Sequence, residues 1–384
     1  SIATTVNAQE KYSLEELKEM AYKNNGLLKS SQLQVDRSKA NIRTAFEIEK
    51  TELYYAYDEN DLAVNGLPNY KFGVQQNFSF PLLYTSQRKL NKATYEKQKK
   101  FYELRQVQID QMLQTAYYNL LFEMNKLNLL YELDSIYSAL AEAAEKRYKL
   151  GETNYLEKVN TASKVQRNRL LVKQSQEDKE AAKEQLKAIV QTESDFEIEE
   201  ENLELIAINL ESLQSSPVAD LYESQLKERE LEIKVQKNAL LPDLSLEYFQ
   251  GTNEGLDEQL IGYQFGLRIP LFFGSQQAKI KSSQLQMQSI EAEAKNYDFQ
   301  LQAKYKSLMN QMKKHKAAID YYQTQGQKLS SEIRKAATQS FKGGNIDYLE
   351  LIMSLDNAIQ IELEYLENVN KYNQAVIQIN NLTL

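Results

Sequence analysis

The sequence has no cysteine and no tryptophan, a single histidine, and only 12 glycines and 5 prolines in 384 residues. Without cysteine there is no disulfide framework, no thiolate metal site, no cysteine nucleophile and no lipidated cysteine within these residues. The one histidine, His315, lies in a lysine-rich stretch, so no ordered Ser, His and acid set exists. A Gly-rich phosphate loop is absent as well, and no enzyme, catalytic residue or cofactor site is expected. The seven methionines are scattered, with Met309 and Met312 spaced as a packing stripe, and no metal site is expected. Glycine and proline are too few to punctuate ordinary globular domains of this total length, which requires long uninterrupted elements. No run of about 18 apolar residues occurs, which excludes a membrane-crossing helix but leaves short half-apolar barrel strands open. A net charge of −8 and a pI near 5.2 argue against a nucleic-acid partner. The lysine runs (Lys97, Lys99, Lys100; Lys313, Lys314, Lys316) sit among Glu and Gln at helical spacing, as solvated faces do.

What is present is a duplication. Phe78-Ser-Phe-Pro-Leu-Leu-Tyr-Thr-Ser-Gln87 returns as Leu267-Arg-Ile-Pro-Leu-Phe-Phe-Gly-Ser-Gln276. Tyr148-Lys-Leu-Gly-Glu-Thr-Asn-Tyr-Leu-Glu157 returns as Phe341-Lys-Gly-Gly-Asn-Ile-Asp-Tyr-Leu-Glu350. Pro81 recurs as Pro270, 189 residues on, and Gly151 as Gly344, 193 residues on. Markers recurring in the same order define two repeats, 1–191 and 217–384, with an acidic linker over 192–216.

Each repeat has the same parts. A helix is expected from Ser13 to about 49, opened by a capping box of Ser13 and Glu16. A hairpin follows over about 51–81: Leu53, Tyr55 and Tyr57 alternate, a polar loop runs through 58–69, and Phe72, Val74, Phe78 and Phe80 share a face with Gln76. Gly73, Gln75, Asn77 and Ser79 lie opposite. The second hairpin, about 243–270, is cleaner, with Ile261, Tyr263, Phe265, Leu267 and Ile269 alternating with Gly262, Gln264, Gly266 and Arg268. After each hairpin comes a very long helix. The first, about 86–150, would extend on the order of 100 Å at 1.5 Å per residue. It turns at 149–153 and returns over about 155–191; the second copy spans about 275–341, turns at 342–346, and returns over about 346–382. A further helix is expected from about 218 to 240. Residues 1–9 read equally as a secretory-signal remnant with cleavage near Ala8 or as an unstructured tail.

Strands of about ten residues with one apolar and one small or polar face suit an outer-membrane barrel, and tyrosines cluster near their ends. Four strands are too few to close a barrel, and an open sheet edge in lipid leaves backbone amides unpaired. A membrane role therefore requires several chains to share one barrel. The alternative is a non-pore coiled-coil scaffold, which accounts for the helices but not for hairpins at the same place in both copies.

The duplicated strand, proline and long-helix units, the Gly turns and the Tyr-Leu-Glu after each turn resemble the TolC-like outer-membrane efflux proteins across nearly the whole chain. The resemblance implies a fold that is mainly α with a small β part: a long α-helical coiled-coil barrel with four strands contributed to a shared, trimeric transmembrane β-barrel. It implies a homotrimeric, passive duct from the periplasm through the outer membrane of a Gram-negative bacterium. An inner-membrane resistance-nodulation-division type pump would drive export through a periplasmic membrane-fusion adaptor, with outer-membrane lipid around the barrel. The tips Leu150, Gly151, Glu152 and Gly343, Gly344, Asn345 would receive the adaptor, and Glu157 and Glu350 would line the entrance as carboxylate rings favouring cations. Met353 stands where the family commonly has a second acidic residue. The lipid face would be Phe72, Val74, Phe78, Phe80, Ile261, Tyr263, Phe265, Leu267 and Ile269. The phrase Ile269 to Ile280 looks most like the heavy-metal efflux branch.

Overall fold

Ser13 opens the first helix as its chemistry dictates. The Glu16 amide donates to Ser13 Oγ at 3.4 Å, and the Ser13 amide donates to the Glu16 carboxylate at 2.8 Å, closing the expected capping box. In this computed structural model, which describes residues 10–62, 66–209, 216–253, 255 and 258–382, the chain is mainly helical with a small sheet. The possible signal remnant lies outside the described residues.

In chain order the elements are β1 (Glu10–Tyr12), α1 (Leu14–Asn24), α2 (Gly26–Asn41), a 3-10 turn (Ile42–Phe46), β2 (Glu52–Leu62), β3 (Pro68–Phe78), α3 (Pro81–Lys149), α4 (Tyr155–Val190), β4 (Phe196–Ile198) and α5 (Pro217–Asn238). They continue as β5 (Asp243–Asn253), β6 (Leu260–Arg268), α6 (Gly274–Tyr321), a π-helical turn (Tyr322–Gly326), α7 (Gln327–Lys342) and α8 (Tyr348–Asn380).

Several boundaries differ from expectation for local chemical reasons. The helix expected to reach residue 49 stops at Asn25, which is extended and only 3% exposed. Its side chain accepts the Leu27 amide at 3.0 Å and donates to the Ile189 carbonyl at 3.0 Å, so Asn25 caps α2 and ties it to the end of α4. Helix α3 starts at Pro81 rather than near Ser86, because proline suits the first helical position and the Tyr84 hydroxyl accepts the Ser79 amide at 2.9 Å. In the second copy Phe273 replaces Tyr84 and has no hydroxyl for that bond, and the helix waits until Gly274. Strand β2 runs on through the acidic residues assigned to a loop, with a bulge between Asp58 and Leu62. Phe80 and Ile269 fall just beyond the ends of β3 and β6 and are not strand residues.

The chain forms two compact units, and each takes parts of both repeats: Ser1–Lys29, Arg105–Ser216 and Phe299–Leu384 in one, Ser30–Leu104 and Pro217–Asp298 in the other. In the first, α3, α4 and α8 pack around Leu17, Leu113, Tyr117, Leu121, Leu186 and Val369. The segment read as an acidic linker contributes residues to this core. Phe196 and Ile198 are buried there, and β4 pairs in parallel with β1. The acidic residues Glu197 and Glu199 alternate with the buried pair, a period of two that the overall acidity hid. Residues 210–215 of that segment are outside the described residues. The long helix expected over 275–341 is interrupted by the π turn. Within it Tyr322 stacks on Tyr365 with centroids 4.0 Å apart, and a Cβ on buried Gly326 would lie 3.2 Å from the Tyr322 ring. A glycine there lets the ring occupy space that a side chain would take.

In the second unit the order β2-β3-β5-β6 makes one antiparallel four-stranded sheet. In the helices of the same unit Lys97 meets the largely buried Glu228 at 2.7 Å while Thr94 donates to the same carboxylate at 2.7 Å. Both partners and a hydroxyl are present, as a buried charge requires.

Candidate functional site: two helical tips and a two-faced sheet

The two tips are built from the same backbone device. At the first, Gly151 has φ +77°; its amide donates to the Tyr148 carbonyl at 3.0 Å and the Glu152 amide to the Arg147 carbonyl at 2.9 Å. At the second, Gly344 has φ +73°; its amide donates to the Phe341 carbonyl at 3.1 Å and the Asn345 amide to the Ser340 carbonyl at 2.8 Å. Both are glycine-closed helix C-termini in which the left-handed residue satisfies otherwise orphaned carbonyls. Three residues after each glycine an N-cap opens the returning helix. Asn154 accepts the Glu157 amide at 2.8 Å and Asp347 accepts the Glu350 amide at 2.9 Å.

Glu157 and Glu350 are therefore the third residues of their helices. The Glu350 carboxylate turns back to accept the Asp347 amide at 3.2 Å, completing a capping box, yet it stays exposed to solvent. Glu157 is more enclosed: it accepts from the Thr153 hydroxyl and lies 3.7 Å from Arg147. A negative charge at this position also suits the positive end of the helix dipole. These roles were not read from the sequence, although Asp347 and Glu350 stand at capping-box spacing.

Side-chain surroundings separate the tips. Tyr348 is 2% exposed, whereas Tyr155, its counterpart in the repeat, is 63% exposed. Tyr348 packs edge-on against Phe341 at 4.4 Å. Burial pushes its phenol above the usual range, against the opposing pull of Arg147. The first tip is braced by charge: Lys158 meets Glu145 at 2.7 Å and holds that carboxyl below its ordinary range, with Lys149 adding to the effect. Leu150, Tyr155 and Leu156 stay exposed beside it. Gly151, Glu152, Gly343, Gly344 and Asn345 are exposed too.

Above the second tip a cleft opens between α3, α4 and α8. Glu350, Met353, Arg167 and Lys164 line it, and Asp356 accepts from both the Tyr137 hydroxyl and Lys164. One carboxylate on α8 thus links α3 and α4. It stands among the buried Ile352, Leu355 and Ile359, and a lone acid inside an apolar stripe was the signal available in the sequence. His315 is engaged by Asn368 at 2.9 Å. Among the described residues no cluster of His, Cys, Asp or Glu fits a metal ion, and no helix is long and apolar enough to cross a membrane.

The sheet is sorted by face. The register aligns Leu53, Val74, Tyr248 and Tyr263 in one row, and Tyr55, Phe72, Gln250 and Ile261 in the next. Phe78, Leu244 and Leu267 align on the same side, as do Gln76, Leu246 and Phe265. That face carries no charged residue within the paired register. Glu52, Asp58, Lys71, Asp243, Glu247 and Arg268 all fall on the other. The apolar face is bare: Leu53, Tyr55, Phe72, Ile261, Tyr263, Phe265 and Leu267 are exposed. Strands β2 and β6 form the two edges of the sheet.

No family model matches the sequence, and no curated protein does either. Solved structures are similar over nearly the whole chain. The CmeC outer membrane channel of Campylobacter jejuni aligns at 15% identity and TM-score 0.77, over 96% of this chain and 84% of that one. CusC, a protein described by its transmembrane channel formation, aligns at 14% identity and TM-score 0.79, over 97% and 92%. The open state of the MtrE outer membrane channel of Neisseria gonorrhoeae aligns at 14% identity and TM-score 0.74, over 96% and 88%. At such identities the likeness is one of fold, and the TolC-like fold that the resemblance implied is the fold this chain adopts.

Proposed function

We propose that this protein is the outer-membrane channel of a tripartite export system of a Gram-negative bacterium, a passive duct whose driving force comes from an inner-membrane pump. The observation that carries this reading is the sorting of charge across the sheet. A bare apolar face without a charged residue suits lipid, and an opposite face holding every charge in the register suits a wet lumen. Edges on β2 and β6 call for further copies of the chain, because unpaired edge amides in lipid are costly; three copies, as the resemblance implies, would close the barrel. The helical hairpins would form a periplasmic tunnel, with the tips at Leu150–Glu152 and Gly343–Asn345 receiving a periplasmic adaptor. Glu350, exposed and lining a cleft, is the better candidate for an entrance carboxylate; Glu157 is already engaged by Thr153 and Arg147. Phe80 and Ile269, beyond the strand ends, would sit at the membrane boundary rather than within the lipid face. The cargo is a small toxic compound, and the phrase from Ile269 to Ile280 favours a metal cation.

The full chain, extracted from outer membranes in detergent, is expected to be trimeric and to conduct ions in planar bilayers. A monomer with no conductance would refute the duct. Glu350→Gln keeps an oxygen acceptor for the Asp347 amide while removing the charge, so a lower cation preference with stability reduced by no more than the helix-dipole contribution of about 0.3–1 kcal/mol would assign it to the entrance.

A further inference from the structure

The charged face of the sheet carries only two aromatic side chains within the register, Tyr54 on β2 and Phe249 on β5. They lie in a single row across all four strands: Tyr54, Gly73, Phe249 and Gly262. Each ring is folded onto the glycine of the next strand. A Cβ on Gly73 would lie 2.4 Å from Tyr54 Cζ, and a Cβ on Gly262 would lie 2.3 Å from Phe249 Cζ. No side chain fits beneath either ring, so the glycines are what permit the rings to lie flat.

The pairing is duplicated. Gly73 and Gly262 are 189 residues apart, the same spacing as Pro81 and Pro270, so each hairpin has kept its ring and glycine while the residues around them diverged. In the next row Ala56 and Gly251 flank Lys71, whose ammonium lies 5.8 Å from the Tyr54 centroid and 5.3 Å from that of Phe249. On the other side Glu247 accepts from the Tyr54 hydroxyl. A cation over their faces and a carboxylate at one rim hold the rings down.

We infer that this ring and glycine row sets the bore of the duct at the level of the sheet and so sets the size of cargo that passes. The inference rests on the duct reading, in which the charged face lines the lumen. Every other position of the inner face within the register is polar, small or aliphatic. An upright Tyr54 or Phe249 is the bulkiest object that could project there, and two such rings from each copy would crowd one level. Flat, the same rings leave the lumen open. A purely structural role, covering a glycine to stabilise the hairpin, predicts a change in stability without a change in bore.

The test uses the full chain reconstituted in planar bilayers, with polyethylene glycols of graded size added on the barrel side alone. Gly73→Leu and Gly262→Leu, which force the rings upright, are expected to lower conductance and exclude smaller polymers than the wild type. Tyr54→Ala and Phe249→Ala are expected to admit larger ones. Oligomer mass and circular dichroism report whether each variant is folded. If the leucine variants do not fold, the alanine pair decides, and folded alanine variants with a wild-type size cut-off overturn the inference. A wild-type protein that conducts nothing overturns the duct reading itself.

Discussion

Arg147, near the end of α3, lies over the ring of Tyr348, the first residue of α8, with its guanidinium carbon 5.7 Å from the ring centroid. The same side chain lies 3.7 Å from Glu157 and 3.9 Å from Glu152. One arginine thus joins the first tip to the start of the returning helix at the second. Arg147→Ala is expected to cost about 1 kcal/mol locally, since a partly exposed cation over a ring contributes roughly 0.5–1 kcal/mol and surface ion pairs add little. Amide hydrogen exchange should quicken at 151–157 and 342–352 with the remaining helices unchanged; Arg147→Lys should restore the first tip better than the second.

Gly151 and Gly344 have open space where a Cβ would stand, so replacing them costs strain and not collision. Gly344→Ala should destabilise the turn by about 1 kcal/mol and Gly344→Asn by less, because asparagine tolerates a left-handed backbone. Thermal unfolding of the two variants and of the matching pair at Gly151 should show the same order at both tips.

Burial, and secondly the Asp356 carboxylate, hold the Tyr137 phenol above its ordinary value of 10.0. The folded protein therefore favours the neutral phenol. Its contribution to stability is complete below about pH 10, where the unfolded phenol titrates, and is lost as pH climbs toward the folded value. Denaturant unfolding at pH 8 and at about pH 11 should show a decline that is shallower in Tyr137→Phe. At pH 8 that variant should be less stable by about 1 kcal/mol, the usual worth of a hydrogen bond.

Neighbouring positions of β6 should tolerate charge very differently. Tyr263 lies on the exposed apolar face and Gln264 on the charged one. If the duct reading holds, Tyr263→Arg is expected to cost up to about 2–4 kcal/mol, the range for an arginine facing lipid at mid-depth, and to deplete the protein from outer-membrane fractions. Gln264→Arg should leave its membrane yield unchanged and alter conductance instead.

Where a feature depended on residues close in sequence, it was legible before any coordinates. The Ser13 cap, the Gly151 and Gly344 turns and the two-faced strand from Leu260 to Arg268 follow from local chemistry with a fixed period. Features set by distant partners were not. Asn25 looks like any polar residue of a helix until Ile189 stands opposite it. Asp356 stands out only as an acid within an apolar stripe until Tyr137 and Lys164 converge on it, and Phe196 was hidden by the acids on either side. The π turn at Tyr322 depends on Tyr365, far along the chain. Glu350 shows both sides of this divide: its capping-box spacing to Asp347 stands in the sequence although the role was not read there, while the cleft it lines needed α3 and α4 in place.

The edges of the sheet also bear on the order of events during synthesis. A newly made chain can pair β2 with β3, β3 with β5 and β5 with β6 by itself, all through antiparallel contacts. Its outermost strands, β2 and β6, each keep one edge unpaired within that sheet. If the duct is shared among copies, completion is a collision between chains: its rate rises with their concentration, and a chain made in excess of its partners is left carrying adhesive borders. Cells would do best to produce this protein in bursts, or to escort each copy until its neighbours arrive.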